Sequence, residues 1–492
     1  MHGNNSTKTL SDYPRFTSKE VFCSNKPGHR NSICLLLAAA WHLLITVSIY
    51  LSGRFALWPE MFDSNGIGLP FAADCLGYRI EAISLIRILS HEGIADWLNA
   101  SSQYVMSPFH IKLYSLSFAL LGPLVGYNIL AAEPLNLLCY LSTLYLVFAL
   151  GREAFDERAG LVAAGIVALW PSFLLHTTQL FKDPLFIAAM LALILICLRW
   201  LTREHSWLQG LAAGVLAAGL AFLILLIRRE MWEVVLAIVL LGTGLLILKQ
   251  SRRRRALIGN ILSVAPLLIM LLSLPYFWRT FYPRSQTADQ ASVLTENSER
   301  NPTQTDPIAT QLQPPGSSLP ARINKMRRGF LLYQQAGSNF DADVELTSTV
   351  DIIRYLPRAA AIGFFAPFPR MWFVAGAQVG LKGRLLSGLE TLMMYLIQVC
   401  AAWTLWRHRR ELPVWYLLLS AGIGLTALGL VVANIGTLYR MRYTFWMLLI
   451  VIGAEGALGV FSSWTKDAGT APAQGHSPHR AFSHKDPHPF IP

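Results

Sequence analysis

The chain has 492 residues, of which 53% are apolar and only 14% charged, and its formal net charge is +12. Soluble globular proteins carry about 25% charged residues, so a chain this poor in charge cannot cover a water-facing surface. Its Lys and Arg residues concentrate in short segments between long apolar runs, which points to helix orientation and lipid headgroups as their role and excludes nucleic acid as an expected partner.

The apolar residues form runs of roughly 18–22 residues, the length that crosses a ~30 Å hydrocarbon layer as a helix. Residues 1–32 are polar and lack a secretory signal pattern, so they are predicted to be a cytoplasmic tail. The six cysteines are scattered without a CxxC pair, which argues against a disulfide framework or a zinc site. We predict an all-α polytopic membrane bundle of about ten transmembrane helices, at residues 33–52, 132–151, 159–177, 184–201, 208–227, 231–248, 256–275, 386–405, 414–433 and 444–461.

Two basic clusters, at residues 249–255 and 407–410, set the predicted orientation because basic loops stay on the cytoplasmic side. Both termini are then cytoplasmic. A membrane module at 33–275 carries a large first outer loop at 53–131, and the helices at 386–461 precede a disordered cytoplasmic tail at 462–492.

The outer loop at 276–385 changes character along its length. Residues 284–322 are rich in Gln, Thr, Ser and Pro, a composition that cannot fold alone, whereas residues 326–350 regain apolar side chains and are expected to pack on the bundle. Residues 358–373 are apolar but short and interrupted by prolines, which indicates a re-entrant or interfacial segment. Residues 109–121 are predicted to form a helix along the membrane surface.

The first outer loop contains the segment DCLGYRIE at residues 74–81. At helical spacing Asp74, Tyr78 and Glu81 share one face. An acid at the membrane surface is suited to act as a general base or a metal ligand toward a lipid-borne substrate, and a solvated loop carboxylate is the alternative.

Lys182 and Asp183 lie in a turn between two long apolar runs, where charges are expensive unless they reach headgroups or a cavity. Because Pro184 suits the first turn of a helix, Asp183 is equally suited to a purely structural role at the start of that helix.

Arginines break the orientation rule at two further outer turns, Arg228–Arg229 and YRMRY at residues 439–443. The guanidinium groups of Arg440 and Arg442 are suited to bidentate binding of phosphate oxygens. The alternative is an interfacial anchor in which the arginines reach the headgroups.

The sequence has no P-loop, no GxGxxG before a helix, no HExxH and no GxSxG, so an outside enzyme would use a lipid-linked donor. The order of its motifs resembles the GT-C superfamily of polyprenyl-phosphate-dependent glycosyltransferases, in particular the protein O-mannosyltransferase and aminoarabinose transferase branches. The similar stretches are ADCLGYRIEA, the SPF-to-LGP helix at 107–123 with the spans up to ALWPSFLLHTTQLFKDPL, and YRMRY.

The resemblance implies a GT-C-like bundle in a bacterial inner membrane, with a polyprenyl-phosphate sugar donor and a glycan, lipid or protein acceptor. It implies that Asp74 is the catalytic base of an inverting transfer and that Asp183 is a second catalytic acid. A divalent metal, Mg²⁺ or Mn²⁺, is left open, because family members often have paired acids where Cys75 follows Asp74; Asp63 or Glu81 is then the partner. Substrate-binding roles fall to Tyr78, Glu81, Lys182, Arg228, Arg229, Arg440 and Arg442.

Two other functions remain open from the sequence. An envelope polysaccharide polymerase or ligase is also polytopic, with arginines in large outer loops. A non-enzymatic carrier of lipid-linked sugars is expected to show internal repeats and broken helices at mid-membrane, and the sequence shows no such repeat.

Overall fold

A computed structural model describes the protein over residues 27–59, 61–62, 68–69, 74–100, 109–253, 258–281, 318–331, 339–375 and 380–469. This part of the chain is helical, and an antiparallel bridge joins Asn339 and Asn434 outside the helices, which confirms the predicted all-α class. In chain order the helices are α1 (Pro27–Arg54), α2 (Asp74–His91), α3 (Ile94–Asn99), α4 (Phe109–Val125), α5 (Ile129–Ala154), α6 (Glu157–Ala168), α7 (Pro171–Thr177), α8 (Asp183–Thr202), α9 (Trp207–Ile227), α10 (Trp232–Arg253), α11 (Ile258–Phe281), α12 (Leu319–Leu331), α13 (Thr349–Phe365), α14 (Gly380–Arg407), α15 (Leu412–Val431), α16 (Ile435–Met441) and α17 (Tyr443–Gly469).

Over these described residues, 8 helices are long and apolar enough to cross a membrane, and the bent pair α6–α7 raises the number to 9. The remaining predicted span, at 256–275, coincides with α11, whose described apolar part, Ile258–Leu274, falls short of that length. The predicted span at 159–177 is bent, because its two helices, α6 and α7, meet at 68°. Pro171 is the cause, since it begins α7 and cannot continue the hydrogen bonding of α6.

Several predicted boundaries also shift. α1 begins at Pro27, inside the predicted tail, and α17 continues to Gly469, where the predicted disordered tail had already begun. α12 begins at Leu319, within the predicted low-complexity segment, whose preceding residues 284–317 lie outside the described residues. α13 begins at Thr349, before the predicted re-entrant segment, because Ser348 and Asp351 form a capping box there.

The bundle is built around α8, which is apolar on all sides and is the most buried of the candidate spans. Caps at Asn128, Asp156 and Ser206 fix the starts of α5, α6 and α9 around it. At the periphery, α1 is held by buried polar contacts, His42 Nδ1 to Glu133 Oε1 at 2.7 Å and His42 Nε2 to Thr177 Oγ1 at 3.1 Å.

The ends of the helices define two faces of the bundle. We call the end at which α8 begins, α9 ends and α17 begins the site face. The ends of α10 and α14, where the basic clusters lie, are at the opposite face, beside the end of α8, as the contact of Lys249 Nζ with the carbonyl of Trp200 shows.

α13 packs antiparallel to α15 at close range, because a Cβ at Gly363 would meet the carbonyl of Leu425 at 2.1 Å and one at Gly429 would meet that of Ala359 at 2.0 Å. α13 ends beside Tyr395, near the middle of α14. The chain then returns toward the start of α14, where Trp372 packs on Gly388. α13 therefore does not reach the opposite face. The bridge at Asn339 and the burial of Arg327 confirm that the preceding segment packs on the bundle.

Candidate functional site

Asp74 is in the first turn of α2, where the helix N-terminus favours a negative charge. Its side chain is 52% exposed, and its Oδ2 lies 3.2 Å from Nη1 of Arg440. The next residue, Cys75, is fully buried, which fixes the start of α2 against the bundle. The acid therefore faces solvent from a rigid position, with a cation beside it.

Asp183 is the buried acid of the site face. It opens α8, ahead of Pro184, and its carboxylate accepts a hydrogen bond from Nη2 of Arg228 at the end of α9. The other terminal nitrogen of Arg228, Nη1, lies 3.2 Å from Oε1 of Glu230. The side chains of Asp183 and Arg228 are only 4% and 8% exposed, so this pair is withdrawn from water.

Arg440 connects the two acids. Its guanidinium contacts Asp74 and lies 4.7 Å from the centre of the Phe181 ring, which belongs to the turn before α8. Burial disfavours the charge on Arg440, but the carboxylates of Asp183 and Asp74 outweigh this and raise its pKa. Arg440 is therefore charged and anchored at the centre of a mixed group of acids and bases.

Lys182 supplies a further cation in the same turn. Its side chain is partly buried, and among the residues that the structure describes its ammonium group has no hydrogen-bond or ion-pair partner. Burial, and then the charge of Arg228, lower the pKa of Lys182. Asp74, Lys182, Asp183, Arg228 and Arg440 are together called the site cluster below.

The other predicted site residues lie around this cluster in different ways. Tyr78 is buried one turn along α2, where burial and then the charges of Asp74 and Asp183 raise its pKa. Glu81 is buried on the same side of α2. Arg229 is exposed in a short 3-10 helix, and the predicted alternative acid, Asp63, lies outside the described residues.

A second polar group, which the sequence reasoning missed, lies below the site cluster. Glu390 of α14 accepts hydrogen bonds from Ser172 N at 2.7 Å, from Ser172 Oγ at 2.6 Å, and from the Tyr439 hydroxyl. The Tyr443 hydroxyl donates to Ser172 Oγ at 2.7 Å. Ser172, Glu390, Tyr439 and Tyr443 are called the inner network. A carboxylate inside a predicted span was the signal for it, since such residues rarely occur without a function.

The inner network reaches the site cluster through aromatic rings. His176 contacts Tyr443 and stacks on Phe181 with the ring centres 5.8 Å apart, while Arg440 covers the same Phe181 ring. The two groups therefore form one connected structure. Its inner acid, Glu390, accepts three hydrogen bonds, whereas its surface acid, Asp74, is open to solvent.

Arg442 is separated from Arg440 by a single residue but points elsewhere. It is 1% exposed, Nη1 donates to the carbonyl of Ala366, and its guanidinium lies 3.6 Å from the ring centre of Trp446. The structure thus brings Arg440 to the acids and takes Arg442 into the interior of the bundle.

A divalent metal would find two carboxylates in the site cluster, Asp74 and Asp183, each already facing an arginine. Across the described ranges no group of three or more His, Cys, Asp or Glu side chains is placed to hold an ion. Mg²⁺ takes oxygen ligands in near-octahedral geometry. The described residues alone do not form such a site.

Comparisons with known proteins match one part of the chain to a protein family. Residues 108–278 match the family model of dolichyl-phosphate-mannose-protein mannosyltransferase, and no curated protein matches the chain.

Two similar solved structures come from Archaeoglobus fulgidus. One is the archaeal oligosaccharyltransferase AglB in complex with an inhibitory peptide and a dolichol-phosphate, at 15% identity and a TM-score of 0.42, covering 90% of this chain and 53% of that chain. The other is an oligosaccharyltransferase in the apo form, at 15% identity and a TM-score of 0.43, covering 91% of this chain and 53% of that one. This chain thus spans about half the length of either structure, and the TM-scores are too low to establish a common fold.

Proposed function

We propose that this chain is a membrane glycosyltransferase of the GT-C superfamily that uses a lipid-phosphate-linked donor, as the match of residues 108–278 supports. At the site cluster it transfers the sugar to an acceptor hydroxyl, with Asp74 as general base. The donor lipid is a polyprenol, and the hydroxyl belongs to a glycan, a lipid or a protein. The observation that carries the proposal is an exposed carboxylate on a fixed helix N-terminus, beside a charged arginine and a lysine that has no partner among the described residues.

The reaction is a single displacement. The Asp74 carboxylate takes the proton of the acceptor hydroxyl as its oxygen attacks the anomeric carbon from the side opposite the phosphate. The bond between the anomeric carbon and the phosphate oxygen breaks, and the phosphate leaves with the electron pair. This geometry inverts the configuration of the transferred hexose.

The departing phosphate gains negative charge, so cations fixed at that point lower the barrier. Lys182 is suited to this role because none of the described residues pairs with its ammonium group. Arg440 is suited to it because a guanidinium group can donate hydrogen bonds to a phosphate and to Asp74 at the same time. The terminal nitrogens of Arg228 contact Asp183 and Glu230. The role of Arg228 is therefore to fix the charges that surround Arg440.

The proposed orientation places the site face outside a bacterial inner membrane. Its support is that both basic clusters lie at the opposite face, the one that the distribution of positive charge assigns to the cytoplasm. α1 starts at that face and α17 ends at it, which agrees with the proposed cytoplasmic termini.

The test is transfer of a radiolabelled sugar from a polyprenyl-phosphate donor by the purified protein in liposomes. We expect Asp74→Asn to lower the rate by about a hundredfold or more, as removal of a general base does. Asp96→Asn is the matched control, because Asp96 is an exposed acid of the same outer loop on α3. Equal rates for wild type and Asp74→Asn would reject Asp74 as the base. No transfer from several donors by the wild type would favour a polymerase or a carrier.

A further inference from the structure

The turn at residues 439–443 divides its side chains between two directions. Arg440 reaches Asp74 at the site face, whereas Tyr439, Arg442 and Tyr443 are 7%, 1% and 3% exposed. Tyr439 and Tyr443 are held by the inner network. One arginine of the turn is therefore available to a substrate, and the other is enclosed.

Arg442 meets the end of α13. The last carbonyls of that helix need partners, because a helix end within the bundle has no water to bind them. Gln398 Nε2 donates to the carbonyl of Phe364 at 3.0 Å, and the Tyr395 hydroxyl donates to that of Phe365 at 2.6 Å. Nη1 of Arg442 donates to the carbonyl of Ala366. Two side chains of α14 and one of the 439–443 turn thus close the helix.

The surroundings of Arg442 also account for its charge. Within the described residues no carboxylate forms an ion pair with it. Burial lowers the pKa of Arg442 to about 10, so the group is still a cation at neutral pH. The carbonyl end of α13 carries the negative end of the helix dipole, and the rings of Trp446 and Tyr439 lie 3.6 and 4.4 Å from the guanidinium. These contacts, together with the charge of Glu390, which forms no ion pair with Arg442, favour the cation.

We propose that Arg442 is a positioning residue. It caps the C-terminal end of α13 and so joins this helix to the turn at 439–443, which carries Arg440. The inference rests on the proposed function for the role of Arg440, but the cap itself does not. Through it, the segment that precedes α14 contributes to the geometry of the site cluster without touching a substrate.

The first arm of the test compares Arg442→Met with Arg442→Lys. Met removes the donor and the charge, whereas Lys can still donate to the carbonyl of Ala366. We expect Met to raise the donor KM and to lower kcat, so that kcat/KM falls by about tenfold to a hundredfold, because a misplacement of Arg440 by about 1 Å weakens its contact with the donor. Lys should restore most of kcat/KM. Because Arg442 acts through Arg440, adding Arg442→Met to Arg440→Met should cause little further loss. Fully additive losses would show that Arg442 acts on the donor independently of Arg440 and would overturn the proposal.

The second arm does not depend on sugar transfer. Ile362 lies on α13 and is fully buried, so a cysteine there reports whether the helix stays docked. In a background without native cysteines, Ile362→Cys should react slowly with a membrane-permeant maleimide, much faster when combined with Arg442→Met, and slowly again with Arg442→Lys. Equal labelling in all three would overturn the cap. A change in labelling without any sugar transfer by the parent would keep the cap and reject the proposed function.

Discussion

The two ends of α8 carry the same kind of ion pair in different surroundings. At the site face, Asp183 and Arg228 are 4% and 8% exposed. At the opposite face, Arg203 just past the end of α8 lies 2.5 Å from Glu153 of α5, and the two side chains are 51% and 6% exposed. Burying both charges of an ion pair costs desolvation free energy, and removing one partner then destabilises the fold strongly. A pair whose arginine stays hydrated contributes little to the free energy of unfolding. The difference marks the site face as the end where charge geometry is fixed.

The largest expected effect comes from breaking the withdrawn pair. Asp183→Asn leaves the buried Arg228 with Glu230, which is 36% exposed, as its remaining acidic partner. Loss of the buried carboxylate should lower the free energy of unfolding by about 3 kcal/mol. The measurement is the midpoint of unfolding in detergent micelles. The double variant Asp183→Leu/Arg228→Leu should recover most of the stability but not the transfer activity. If the double variant regained activity, the pair would be needed only for folding.

The next effect concerns Arg440, whose loss should weaken donor binding. Arg440→Met should raise the donor KM by about tenfold or more, the value of a hydrogen-bonded charge contact. Arg440→Lys should recover only part of this, since an ammonium group cannot bind two oxygens in a fork. Arg328→Met is the matched control, because Arg328 is an exposed arginine of α12 that pairs with Glu345. An unchanged donor KM in Arg440→Met would remove Arg440 from the donor site.

A pH effect should follow from Lys182. Phosphate binding favours the ammonium form, so donor affinity is full below the pKa of Lys182 and falls as the pH rises through it. Because burial and Arg228 lower that pKa, the fall should begin at a lower pH than for an ordinary lysine. Lys182→Arg should make the donor KM independent of pH in this range, measured in initial-rate assays. The same pH profile for wild type and variant would show that another group titrates.

The smallest effect is expected at the opposite face. Glu153→Gln should change the free energy of unfolding by about 1 kcal/mol and leave transfer unchanged, because its two arginine partners, Arg203 and Arg199, are 51% and 32% exposed and remain hydrated. The same unfolding and transfer assays measure it. A loss as large as that of Asp183→Asn would erase the contrast between the two ends of α8.

The sequence predicted those parts of the molecule that depend on local pattern. The span at α8, the turn before it and the helical face shared by Asp74 and Tyr78 follow from apolar run length, Pro184 and helical spacing, and the structure has each of them. The bend between α6 and α7 was not predicted although Pro171 favours a helix break there, because the apolar run continues through the bend.

The inner network could not be predicted in the same way. Ser172 and Glu390 are 218 residues apart, and no local pattern sets the packing that joins them. The turn at 439–443 shows the same limit. Its arginines have the same spacing to their aromatic neighbours, but the packing around the turn places Arg440 beside Asp74 and Arg442 beside the end of α13.

The central claim is that Asp74 removes a proton while other residues hold the donor. The most direct test is a single turnover by Asp74→Asn protein loaded with labelled donor, with donor affinity measured on the same sample. We expect a donor affinity within about twofold of wild type and a turnover rate lower by about a hundredfold or more. A normal turnover rate, or a rate loss explained entirely by weaker donor binding, would contradict it.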